Sequence, residues 1–308
     1  MPSADCQPLL THLNDTLLGK QEAVTLVLAV LLAGGHLLLE DVPGVGKTLL
    51  ARTLAEAVSG DWKRVQFSPD LLPSDVTGVN MFHPGTGDFR FIRGPLFTHV
   101  LLADEINRAS PRTQACLLEA MEEGRVTLDG HTHPLPRPFL VIATQNPIEH
   151  QGTFPLPEAQ LDRFAATIQL GYPDADEEAR LLAREASRPF HGEAGRALAE
   201  PSDLLRWQGE VREVHVEASL QRYVVEFVGR TRNHPAIRLG VSPRGSLVWQ
   251  RVAQALAWLT GRDFVTPDDL KRAAIPCLAH RVLLAGASTT PERQRTLAEL
   301  LRTTAVPV

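Results

Sequence analysis

The stretch His36–Gly60, HLLLEDVPGVGKTLLARTLAEAVSG, decides the fold class. Its first residues, HLLLE, have the apolar composition of a short buried strand. Further on, Leu50, Leu54, Ala57 and Val58 recur on one face of a helix. Between strand and helix stands Gly44-Val45-Gly46-Lys47-Thr48, continued by Leu49. A glycine-rich turn at such a junction exposes backbone N–H groups, and the helix N-terminus adds a favourable field for an anion. There Lys47 reaches the β and γ phosphates of a nucleotide and Thr48 offers its hydroxyl to Mg²⁺. Asp41 departs from the pattern GxxxxGK[ST], because it occupies the place of the first glycine. A chance glycine-rich turn is the competing reading, and the strand-and-helix setting argues against it.

A phosphate loop needs a carboxylate source for the metal at the end of a neighbouring buried strand. Val100–Glu105, VLLADE, is such a strand end. Asp104 holds Mg²⁺ directly or through water, and Glu105 polarises a water for attack on the γ-phosphate. Alone, an apolar run ending in Asp-Glu marks little more than a strand end. After a phosphate loop it acquires a role.

Outward from these two segments, residues 20–33 read as a buried helix, Arg64–Phe67 as a strand and Leu140–Thr144 as another. Ser110-Pro111 caps a helix running to Gly124. Two alternating stretches, about 79–92 and 124–139, read as hairpins, the second turning at Asp129-Gly130. Strands alternating with helices predict a parallel sheet covered on both faces. From about Gly192 the pattern is helical, with an apolar stripe from Leu247 through Val248, Val252, Ala255 and Leu256 to Leu259, and a helix start at Thr266-Pro267-Asp268-Asp269. We therefore divide the chain into an αβα core with its connector, residues 1–190, and a helical lid, residues 191–308. The connector runs from Tyr172 to Glu193 and is itself helical over Glu178–Ala186.

Composition narrows the function classes. The 308 residues, 44% hydrophobic and 22% charged, support a packed core and exclude a largely disordered chain. The longest largely apolar run, Ala23–Ala33, is about half of the ~20 residues a membrane span needs, and no export signal precedes it. Three widely spaced cysteines, Cys6, Cys116 and Cys277, form neither a disulfide framework nor a zinc site, and the compartment reads as cytoplasm. A net charge of -5 gives no bulk reason to expect nucleic acid. Residues 1–190 carry 15 basic and 24 acidic side chains and residues 191–308 carry 16 and 12. This is either solvated surface or a means by which halves of neighbouring copies attract. His131, His133 and His150 lack carboxylate partners at ligand spacing and read as loop histidines. Trp207, Trp249 and Trp258 read as core.

EDVPGVGKT, LLADEINRASPRTQ, LLEAMEEG, IATQNP and LPEAQLDRF, in this order, resemble the MoxR family of AAA+ ATPases from residue 17 to about 173, and the helical remainder resembles the AAA+ lid. The family also carries Asp at the position of Asp41. The resemblance implies ATP and Mg²⁺ as cofactors and a P-loop αβα core. It assigns Asn146 to the sensor that orients the attacking water, Arg163 to the arginine finger given to a neighbour's nucleotide, and Arg244 to the lid's sensor of the γ-phosphate. Gly19–Gln21 resembles the segment lining the adenine pocket. Arg93, Arg108 and Arg112 are further cations that could touch a neighbour's nucleotide or a partner. The resemblance further implies a homo-oligomeric ring, of six copies by family habit, chaperone-like remodelling, and partners bearing von Willebrand factor A domains. A metal-chelatase ATPase subunit shares this core and similar inserts; a nucleic-acid motor would need a DNA-binding domain that is not evident. A nucleotide-gated scaffold without turnover would not need Lys47, Asp104, Glu105, Asn146 and Arg163 together.

Overall fold

The computed structural model describes residues 4–42, 44–85, 87–146, 152–187, 197–286 and 289–306. In chain order the elements are α1 (Gln7–Thr16), α2 (Gln21–Leu32), β1 (Leu37–Glu40), α3 (Lys47–Ala57), β2 (Trp62–Gln66), α4 (Pro73–Thr77), β3 (Gly78–His83), β4 (Asp88–Arg93), β5 (Val100–Asp104), α5 (Pro111–Glu123), β6 (Arg125–Leu128), β7 (His131–Pro134) and β8 (Leu140–Gln145). After them come α6 (Glu158–Leu161), β9 (Ala166–Ile168), α7 (Ala175–Ser187), α8 (Pro201–Glu213), α9 (Ala218–Arg232), β10 (Ile237–Leu239), α10 (Pro243–Leu259), α11 (Pro267–Leu278), β11 (Leu283–Leu284) and α12 (Thr290–Thr303).

Five strands form one parallel sheet in the order β2-β5-β8-β1-β9. Side chains alternate across a strand, so each central strand supplies both faces of the sheet. Leu37, Leu39, Leu102 and Ile142 pack with α1, α2, α3 and the C-terminal helices, whereas Leu38, Leu101, Ala103 and Val141 pack with α5 and the hairpins. This two-sided burial is why β1, β5 and β8 read as nearly continuous apolar runs. Because all five strands are parallel, their C-terminal ends share one edge. That edge receives every loop that leads from a strand into a helix, and it is where ligands bind in sheets of this kind.

The two hairpins form as the sequence predicts, β3 with β4 and β6 with β7. Asp129 and Gly130 both take positive φ, 49° and 78°, the conformation a two-residue hairpin turn requires. The hairpins touch: Asn80 Nδ2 donates to Asp129 Oδ2 at 2.6 Å, and His133 stacks on Phe91 with ring centroids 4.1 Å apart. His131 and His133 therefore stand on a strand; His150 lies outside the described residues.

The C-terminal half is a bundle, α8–α12, with a short antiparallel pairing of β10 and β11. Trp207, Trp249 and Trp258 lie in its core, and Trp249 Nε1 donates to the Leu270 carbonyl at 2.7 Å. Leu247 does not join the stripe expected of it and is 71% exposed. A helix turns about 100° per residue, which puts Leu247 outside the arc shared by Trp249, Val252 and Leu256. Thr266 starts α11 with a capping box closed by Asp269. Among the described residues no helix is long and apolar enough to cross a membrane.

Candidate active site

β1 ends at Glu40, and α3 begins at Lys47 behind Gly46. Gly44 and Gly46 take φ of +87° and +99°, a region costly for residues with a Cβ, so these two positions call for glycine. The turn they make brings the loop onto the first turn of α3, where unpaired N–H groups and the helix dipole favour an anion. Val45 is buried beneath the loop, and Leu49 is half-buried against the core. Thr48 is the second residue of α3. Lys47 Nζ donates to the Asp41 backbone carbonyl at 3.1 Å, which folds its side chain back over the loop.

Asp41 has a structural reason to be there. Its buried carboxylate accepts from the Leu170 N–H at 2.6 Å and from the Gly171 N–H at 3.1 Å. It thus ties the start of the phosphate loop to the chain leaving β9. A glycine in its place would leave both donors without this partner.

The acidic pair stands at the same edge, two strands away. Asp104 Oδ1 accepts from the Thr144 hydroxyl at 2.6 Å, and Oδ2 accepts from Arg64 Nη2 at 2.7 Å and Nε at 3.1 Å. Glu105 takes the left-handed conformation, φ 57° and ψ 49°, without being glycine. Such strain persists where the surroundings enforce it, and it concentrates at functional positions. Here the Glu105 N–H donates to Thr144 Oγ1 at 2.9 Å, while Oε2 accepts from Gln66 Nε2 at 2.7 Å and Arg108 Nη1 at 3.2 Å. Thr144 therefore sets both acids at once from β8.

Sequence reasoning passed over Thr144, Gln66 and Arg64. β2 pairs with β5 in register, Arg64 opposite Leu102 and Gln66 opposite Asp104, so residues of alternate position on β2 reach the acids. That alternation is visible in the sequence; the neighbouring strand is not. Arg108 serves Glu105 of its own chain, Arg93 lies over the Phe97 ring at 5.3 Å, and Arg112 is exposed. Asn146 directly follows β8, the strand lying between β5 and β1.

A cavity of about 280 Å³ opens beside this edge, lined by Gly19, Lys20, Glu40, Leu170 and, from the lid, Pro276 and Gln294. Gly19 is thus at the cavity. Gln21 begins α2, is exposed and is not among the lining residues. The lid also reaches Glu40, whose two oxygens accept from Gln145 Nε2 at 2.5 Å and the Thr290 hydroxyl at 3.2 Å.

Arg163 and Arg244 stand elsewhere. Arg163 precedes β9, and Arg244 lies in the first turn of α10. Both contact Glu122 near the end of α5, at 3.0 and 2.9 Å. The preceding residue, Met121, accepts through its carbonyl from His36 Nε2 at 3.1 Å, and His36 lies just before β1. This cluster is therefore at the N-terminal edge of the sheet. His36 and Asp41 are separated by the length of β1, roughly 15 Å at ~3.3 Å per residue. The structure brings Lys47, Thr48, Asp104, Glu105 and Asn146 to one edge and leaves Arg163 and Arg244 at the other.

His36 is fixed in one tautomer, since the Val141 N–H donates to Nδ1 at 3.0 Å. Burial, with Arg244 adding to it, pushes its pKa down to about 4 despite the bond to Met121. His280, buried against Arg281, is likewise held far below the usual histidine range. Burial raises the Cys6 and Cys277 thiols to about 12, so neither is a nucleophile at neutral pH.

Residues 36–166 match the ATPase family associated with various cellular activities (AAA), and residues 229–301 match the AAA lid domain. The chain is 51% identical over 285 residues to the uncharacterized protein YeaC of Bacillus subtilis, covering 91% of this chain and 88% of that one. It is 40% identical over 302 residues to Chaperone MoxR1 of Mycobacterium tuberculosis, covering 94% and 79%. A crystal structure of a candidate ATPase from Cytophaga hutchinsonii superposes with a TM-score of 0.90 at 36% identity, covering all of this chain and 96% of that one. With a parallel core built around a strand–phosphate loop–helix unit, a matching lid and relatives of this identity over nearly its whole length, the chain belongs to the MoxR family of AAA+ ATPases.

Proposed function

We propose that this chain hydrolyses ATP with Mg²⁺ and works as a head-to-tail ring of six copies that remodels or activates partner proteins. One observation carries the reading. The glycine loop at the end of β1 and the acidic pair at the end of β5 share an edge, with Asn146 directly following the strand between them. Residues 1–190 act as the nucleotide-binding unit and residues 191–308 as the lid.

The donor set suits Mg²⁺, which prefers hard oxygen ligands, and Thr48 and Asp104 supply a hydroxyl and a carboxylate. When bound, Mg²⁺ draws charge from the phosphate oxygens as the γ-phosphoryl group is transferred. Lys47 exchanges the Asp41 carbonyl for the β and γ phosphates, whose charge rewards the move. The loop from Gly44 to Leu49 donates backbone N–H groups. Glu105 takes a proton from the attacking water, and Asn146 orients that water. Gly19 borders the base; exposed Gln21 supports that segment from the start of α2. Arg163 lies too far from its own phosphate loop to act there. It acts on the nucleotide of a neighbour, and Arg244, tied to the same carboxylate, faces the same way. Repeated contacts of this head-to-tail kind close into a ring. The name of the relative Chaperone MoxR1 supports a remodelling task, with von Willebrand factor A domains among the partners.

The test is a pair of substitutions. Glu105→Gln should bind ATP nearly normally and lose hydrolysis by ~10²–10⁴-fold, the usual worth of a positioned base. Lys47→Ala should lose ATP affinity in calorimetry. Near wild-type turnover of the first, or unchanged affinity of the second, would show that the chemistry lies elsewhere. Glu105→Gln held with ATP then serves as bait for the client.

A further inference from the structure

Two cations that the sequence separates by 80 residues meet on one carboxylate. Glu122 Oε2 lies 3.0 Å from Arg163 Nε, and Oε1 accepts from Arg244 Nη1 at 2.9 Å. Arg163 belongs to the core and Arg244 to the lid, so this contact joins the two parts of the chain. The neighbouring residues reinforce it. Asp162 accepts from the Ser242 hydroxyl at 3.0 Å on each oxygen and also pairs with Arg281, which in turn donates from Nη2 to the Phe164 carbonyl at 2.5 Å. Ser242 is the N-cap of α10, two residues before Arg244. The segment Asp162-Arg163 is therefore clamped against Ser242-Pro243-Arg244.

A surface ion pair of this exposure contributes little stability, about 0–1 kcal/mol, so folding alone does not explain the arrangement. Its geometry suits another task. Two guanidinium groups held close together repel, and a carboxylate between them offsets that repulsion and sets their spacing. Among the described residues Glu122 meets Arg163 at Nε and Arg244 at Nη1, so this contact does not take up the whole fork of either. All three side chains are partly exposed, at the sheet edge opposite their own phosphate loop.

We propose that Glu122 is a positioning residue that presents Arg163 and Arg244 as one two-guanidinium clamp to the triphosphate held by a neighbouring copy of this chain. The proposal rests on the reading that Arg163 serves a neighbour's nucleotide. Glu122 itself touches no substrate.

Glu122→Gln tests this at constant side-chain length. Its amide oxygen can accept from one guanidinium while its NH₂ faces the other without a lone pair, so one of the two contacts fails. Assembly by light scattering and the KM for MgATP should stay at wild-type values, while kcat falls by up to ~10²-fold, as expected for a misplaced group. Co-assembly supplies a readout that a merely structural role would not give. Glu122→Gln subunits mixed with Glu105→Gln subunits should regain activity above both parents, because intact pockets then meet intact clamps. Wild-type kcat in Glu122→Gln overturns the proposal, as does a raised KM at unchanged kcat or loss of assembly. So does a mixture with Glu105→Gln that stays inactive while the control mixture of Arg163→Ala with Glu105→Gln recovers. If that control mixture itself stays inactive, the reading of Arg163 fails first, and the proposal with it.

Discussion

The two edges of the parallel sheet carry opposite chemistry. At the C-terminal edge stand the glycine loop, Lys47, Thr48, Asp104, Glu105 and Asn146, and beside that edge opens a separate cavity lined by Gly19, Glu40 and, from the lid, Pro276 and Gln294. At the N-terminal edge stand Glu122, Arg163 and Arg244, with His36 beneath them. The first edge has acids and phosphate donors but lacks Arg163 and Arg244. The second has those cations and no phosphate loop. A single copy cannot bring the two sets together, because β1 keeps them apart along its length. Under the proposed reading, two copies placed head to tail would bring them together.

Breaking the second edge should cost the most. Arg163→Ala should lower kcat by ~10³–10⁵-fold, the worth of an arginine finger in P-loop enzymes, with ATP affinity retained. Titrating nucleotide binding and turnover on the same sample separates the two quantities. If affinity falls in step with kcat, Arg163 serves its own pocket and the contrast between the edges collapses.

The first edge can be loosened without touching any charged group. Thr144→Val preserves shape while removing the hydroxyl that donates to Asp104 and accepts from the Glu105 N–H. Leaving that N–H unpaired should cost about 1–3 kcal/mol of stability. Displacing both acids should lower kcat by at most ~10²-fold. Denaturant melts and steady-state rates check both. A variant that loses stability but keeps full turnover would show that Thr144 holds the strand end and does not set the acids.

The smallest effect on turnover is expected beneath the second edge. His36 has its pKa lowered from 6.5 to about 4 by burial, so the folded chain binds fewer protons there than the unfolded one between those values. Stability from this site is fully present above pH 6.5 and is lost as the pH falls towards about 4. The advantage in melting temperature of wild type over His36→Gln should therefore shrink on acidification, with turnover at neutral pH nearly unchanged. A constant difference across that range would mean that His36 is not held neutral by its surroundings.

Much of the first edge was legible in the chain. Gly44 to Leu49 announce themselves because a phosphate loop is made of consecutive residues, and VLLADE because a buried strand ends in charge. The hairpins were legible from alternation and from Asp129-Gly130. Leu247 misled because helical spacing shows which residues share a face without showing how wide the buried arc is. Arg64, Gln66 and Thr144 stayed hidden for a related reason. Each acts across a strand pairing, and pairing is not written in local order. Gln21 and Arg244 were placed by resemblance alone; that Gln21 is exposed at the start of α2 and that Arg244 contacts Glu122 of α5 is not written in local order.

What the sequence determined by itself is everything carried by neighbours in the chain: the strand–loop–helix unit, the acidic strand end, the caps of α5 and α11, and the change from alternating elements to helices. What only the tertiary structure decided is which distant residues share an edge. Asp41 reaches Leu170 and Gly171, Thr144 joins Asp104 to Glu105, and Glu122 joins core to lid. Local order sets the conformation of a few residues through sterics and hydrogen bonds within a turn or two. Strand order and the docking of the lid follow from burying apolar faces contributed by the whole chain, and that is a property of the assembled core.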